Sequence, residues 1–75
     1  MLLPDNIHPE HSVYYNGSFV LKVIQQVRRA TLLDLYLETR HLHEMSMPLF
    51  VLCVDWLFLL GLVTLNDHGV IEICF

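Results

Sequence analysis

Seventy-five residues are enough for one small domain, and a chain of that length hides only about 60% of the surface it exposes when unfolded. With 55% of residues hydrophobic and 16% charged, it is more apolar than an ordinary soluble domain, where about 25% are charged, and the surplus points to a partner protein or a membrane. The net charge of −4 speaks against the clustered cations that phosphate-backbone binding needs.

Residues 1–15 contain Pro4 and Pro9, and each biases its predecessor toward extended backbone, so this stretch reads as an N-terminal arm ahead of a domain over 16–75. Apolar Leu2, Leu3, Ile7, Val13, Tyr14 and Tyr15 give the arm reason to lie against a surface. It lacks the basic region and apolar run of a secretory signal. Asn16-Gly17-Ser18 then reads as a turn and a helix N-cap.

Phe19, Val20, Val23, Ile24 and Val27 recur at helical spacing, opposite Lys22, Gln25, Gln26 and Arg29, which predicts an amphipathic first helix. Thr31 with Asp34 three residues later resembles a capping box. It opens a second helix with Leu32, Leu35, Tyr36 and Leu42 inward and Asp34, Glu38 and His41 outward. Arg40, His41 and His43 sit in its last turn, where cations suit the helix dipole.

Glu44-Met45-Ser46 connects to a third helix, with Ser46 as N-cap, Pro48 in the first turn and Gly61 as the stop. Leu62 to Leu65 and Val70 to Phe75 are short β-prone runs around the turn Asn66-Asp67-His68-Gly69. On them, Val63 and Leu65 can share a face with Ile71, Ile73 and Phe75. The expected fold is α+β and mainly α, a small winged helix-turn-helix domain of three helices and a C-terminal hairpin. No strand is expected between the first two helices.

The apolar run from Met47 to Val63 would measure about 26 Å as a helix, at the lower limit for a hydrocarbon core near 30 Å. Asp55 at its middle would add roughly 2.5 to 3.5 kcal/mol to insertion. A core helix is therefore expected, with no membrane span. It is apolar on nearly every side and offers none of the Arg, Lys, Asn or Gln side chains that read base edges. Protein is the expected partner and DNA contact is at most indirect.

Catalytic and metal-binding patterns are not evident. His41 and His43, two apart on a helix, point to nearly opposite sides and cannot chelate one ion, while His8 and His11 lie in the arm and His68 in a turn. No cofactor or small-molecule substrate is expected. Cys53 and Cys74 form no metal or disulfide framework and read as reduced intracellular thiols.

Asp55 is a candidate for a structural ion pair with Arg28 or Arg29, or for an interface pair with a cation on another subunit. The candidate partner interface comprises Leu2, Leu3, Ile7, Tyr14, Tyr15, Phe50, Trp56, Phe58 and Phe75, because large aromatics beyond what the core can hold become interface anchors. Lys22, Arg28 and Arg29 are the weaker candidates for a nucleic-acid contact.

Over nearly its whole length the chain resembles the middle components of bacterial ABC-three-component systems, in their type-six-like form. The resemblance runs through Pro4, His8-Pro9-Glu10-His11-Ser12, Val20-Leu21-Lys22 and Leu35-Tyr36. It continues with Phe50, Asp55, Leu57, Phe58, Leu60-Gly61-Leu62-Val63 and Gly69. It implies a cytoplasmic, non-catalytic adaptor linking a chromosome-maintenance type ABC ATPase to an effector in defence against phage or plasmids. Such an adaptor is expected to be stable in complex or as a homodimer; a DNA-binding winged-helix regulator and, behind it, a small membrane-anchored protein are the alternatives.

Overall fold

The computed structural model describes residues 12–74. Their elements follow in the order α1 (Val13–Val27), β1 (Arg29–Thr31), α2 (Leu32–Leu42), α3 (Met47–Leu59), β2 (Val63–Leu65) and β3 (Val70–Ile73). Three helices and a C-terminal antiparallel strand pair make it a mainly helical α+β fold, as expected.

The first helix starts earlier than the Asn16-Gly17-Ser18 turn that its residues suggest. Ser12 is the N-cap, its hydroxyl accepting from Tyr15 N at 2.9 Å, so Val13, Tyr14 and Tyr15 are helical and not part of an extended arm. Asn16 and Gly17 are turn formers by type but buried members of α1. The Asn16 side-chain amide donates to the Ser12 carbonyl at 2.8 Å, and Gly17 makes room for Trp56. Tertiary packing overrides local preference at both positions.

A strand also stands where none was expected. β1 pairs antiparallel with β3, Ala30 opposite Ile71, and β3 pairs in turn with β2, giving the sheet order β1-β3-β2. Three residues are too few for an alternating pattern to show in the sequence. The hairpin itself matches its reading, with Val63 opposite Ile73 and Leu65 opposite Ile71. Asn66 closes the turn, its side-chain oxygen accepting from His68 N at 2.8 Å and Val70 N at 3.0 Å.

Thr31 caps α2 as expected, its hydroxyl accepting from Asp34 N at 3.2 Å, and Ser46 caps α3. α2 buries a narrower stripe than its sequence suggests: Leu35 and Thr39 are buried and Tyr36 half-buried, while Leu32 and Leu42 are exposed. α3 ends on Gly61, whose φ of +74° allows Leu62 N to reach Leu57 O and Gly61 N to reach Phe58 O, both at 3.0 Å.

The core gathers Val20, Val23 and Ile24 of α1, Leu35 of α2, Phe50, Cys53, Val54 and Leu57 of α3, and Val63 and Ile71 of the sheet. α2 and α3 meet at 108°, within the range of a helix-turn-helix corner. Met45 is buried in that corner, and the Tyr36 hydroxyl donates to the Met45 carbonyl at 2.9 Å.

Candidate partner-binding surface

The way α3 meets the core decides what it shows outside. Phe50, Cys53, Val54 and Leu57, spaced i, i+3, i+4 and i+7, form its buried face. Pro48, Val51, Leu52, Asp55 and Leu59 therefore lie along the opposite face, and all five are exposed. Leu52 keeps 55% of its surface in solvent and Leu59 86%. At 1.5 Å per residue the stripe is about 16 Å long. An ordinary solvated helix would carry charge here; this one has a single carboxylate among apolar side chains.

That carboxylate makes no ion pair with Arg28 or Arg29. Among the described residues the ion pair is Arg40 with Glu44, at 3.3 Å. Arg28 caps the end of α1 and Arg29 lies across from Glu72 in the β1/β3 register, so both belong to the sheet side of the molecule. They line a shallow cleft of about 330 Å³ with Glu72 and Ile73. Lys22 belongs to another cleft, of about 240 Å³, between α1 and α2 with Gln26, Glu38 and His41. The three cations therefore divide between two clefts, each of which also holds a carboxylate.

The aromatic candidates separate by depth. Phe50 is fully buried, in ring contact with Tyr36 at 5.0 Å, and so belongs to the core and offers nothing to a partner. The reason is its i+3/i+4/i+7 relation to Cys53, Val54 and Leu57. Trp56 and Phe58 are half-buried against the core. Tyr14 is 77% exposed, its ring 5.2 Å from that of Trp56, and Tyr15 is also exposed. Leu2, Leu3, Ile7 and Phe75 lie outside the described residues.

Val51, Leu52 and Leu59 are exposed residues of α3 that are not among the expected interface candidates. The signal lay in Asp55 itself: on a helix its i−4, i−3 and i+4 neighbours share its face, and these are Val51, Leu52 and Leu59.

His41 and His43 stand apart, but not as two positions of one helix: α2 ends at Leu42, and His43, expected in its last turn, is an extended C-cap. His41 lines the α1/α2 cleft, whereas the His43 ring stacks on Phe19 at 4.3 Å and meets Tyr15 edge-on. Among the described residues no group of three His, Cys, Asp or Glu side chains could hold a metal ion. No single helix among them is long and apolar enough to cross a membrane. α3 stops after 13 residues, about 20 Å.

No curated protein and no solved structure matches the chain. A family model does, over residues 3–74: that of the ABC-three component (ABC-3C) system Middle Component 6. The match spans nearly the whole sequence, and the chain belongs to this family of middle components.

Proposed function

We propose that the chain is a non-catalytic adaptor of a bacterial defence complex, joining an ABC-type ATPase to an effector in the cytoplasm. Membership in a middle-component family supports a place between other subunits. The observation that carries the reading is the outward face of α3. In a DNA-binding winged helix the third helix turns base-reading side chains outward, whereas here that face shows Pro48, Val51, Leu52, Asp55 and Leu59. The test is co-expression of the full chain with the ATPase and effector encoded beside it. Stable co-purification with both is expected, and a chain that associates with neither would refute the adaptor role.

The 108° corner between α2 and α3 and the exposed cations Lys22, Arg28 and Arg29 favour a second reading, a winged-helix protein that binds DNA. That reading requires a salt-dependent shift of duplex DNA. No shift at low salt would remove it.

A further inference from the structure

We infer that the outward stripe of α3 is the docking surface for a different subunit, and that its occupant is an apolar protein segment carrying one Arg or Lys placed to meet Asp55. This rests on the adaptor reading and gives it a surface and a partner chemistry. Val51, Leu52 and Leu59 surround Asp55 at the helical spacings that put all four on one face. Among the described residues Asp55 has no counter-charge.

Charge complementarity selects among the possible covers. A purely apolar cover would bury a carboxylate without a partner, which is heavily disfavoured. A guanidinium or ammonium on the covering segment turns that penalty into a charge-assisted hydrogen bond. A second copy of the chain fails the same criterion, because a two-fold interface sets each patch against itself. Each Asp55 would then be covered by a stripe of Pro48, Val51, Leu52, Asp55 and Leu59 that offers it no cation, between chains each at −4. A lipid surface fits no better: interfacial helices carry Lys and Arg toward anionic headgroups, and this stripe carries an acid.

The test compares co-purification of the full chain with its co-encoded ATPase and effector for the wild type, Asp55→Arg, Leu52→Arg and, on α2, Leu33→Arg. All three sites are exposed, so the circular dichroism and thermal midpoint of each variant should match wild type. Asp55→Arg and Leu52→Arg are expected to weaken binding to one of the two subunits by ~30-fold or more, with Leu33→Arg unchanged. Reversing a single Arg or Lys of that subunit to Glu should restore binding to Asp55→Arg. Undiminished binding by Asp55→Arg and Leu52→Arg, or an equal loss with Leu33→Arg, overturns the inference while leaving the adaptor role standing. So does a solution dimer that Leu52→Arg dissociates, or flotation with phosphatidylcholine vesicles that Leu52→Arg abolishes. A wild-type chain that binds neither subunit removes the adaptor role and this inference together.

Discussion

Gly17 lies against the indole of Trp56: a Cβ at position 17 would stand 2.9 Å from both Cε3 and Cζ3 of that ring. The contact locks the second turn of α1 to the last turn of α3, and it explains a glycine inside a helix, where alanine is better by about 1 kcal/mol. Tyr14, one helical turn earlier, completes the seat for the ring at 5.2 Å between centroids.

Gly17→Ala gains that helical preference but drives the ring out of its seat, and overpacking of this kind typically costs about 1 to 3 kcal/mol. The expected net effect is a loss of about 1 kcal/mol in urea unfolding, with a shift in the emission of Trp56, the one tryptophan of the chain. In a Trp56→Leu background the same substitution should be neutral or stabilising. Destabilisation there as well would show that the ring is not what excludes a side chain at position 17.

The helix-turn-helix corner hangs on Tyr36, whose hydroxyl reaches the Met45 carbonyl at 2.9 Å. Tyr36→Phe keeps the ring against Phe50 and removes the bond. The expected loss is about 1 kcal/mol, the net worth of a typical hydrogen bond. Amide exchange in the first turn of α3 should quicken along with it. A variant as stable as wild type would place the corner's stability in apolar packing alone.

These two contacts also show where reading the sequence stops. Helix caps at Thr31 and Ser46, the Gly61 stop and the hairpin around Asn66 rest on interactions within a few residues, so residue type and spacing reveal them. Gly17 misleads because its reason lies elsewhere, in a ring on α3, and Asn16 because it bonds back to the Ser12 carbonyl inside the first helical turn instead of opening a turn. β1 is hidden because three residues take their strand geometry from β3, about forty positions away. On α3 the uniform apolar composition conceals which side is buried, so Phe50 looks like an anchor and Leu59 draws no notice. Asp55 alone marks the outward face, and using it requires trusting one charge over twelve other side chains.

Arg28 carries a φ of +74° and ψ of −38° at the junction of α1 and β1, a left-handed conformation that favours glycine. Its carbonyl accepts from Ile73 N at 3.0 Å, which ties the strained residue to β3. Arg28→Gly should relieve strain of order 1 kcal/mol or more, offset in part by the greater freedom of glycine in the unfolded chain. A stability equal to or somewhat above wild type is expected by chemical denaturation. A marked loss would mean that the arginine side chain, and not the backbone, holds this junction.

Thr39 is fully buried on α2, and its hydroxyl has no hydrogen-bond partner among the described residues. Thr39→Val preserves the branched shape and removes the polar atom. Because a buried unsatisfied hydroxyl carries a penalty of about 1 to 3 kcal/mol, the variant should match or exceed wild type in denaturant midpoint, by up to about 1 kcal/mol. A loss larger than that would reveal a partner for the hydroxyl, such as an ordered water.

Cys53 has none of its surface in solvent, and burial pushes its thiol from 9.0 up to about 11. The raised value belongs to the folded state, so folding favours the neutral thiol. Its contribution to stability is full below about pH 9, and declines as pH rises through about 11, where the folded thiol too must ionise. Other groups titrate in the same range, so the readout is a difference: between pH 9 and 11 wild type should lose more stability than Cys53→Ala does. Thiol labelling supplies an independent measure. Exposed Cys74 should react at once and Cys53 only as fast as the domain opens. Equal pH slopes for wild type and Cys53→Ala, or rapid labelling of both thiols, would contradict a Cys53 sealed between α1 and α3.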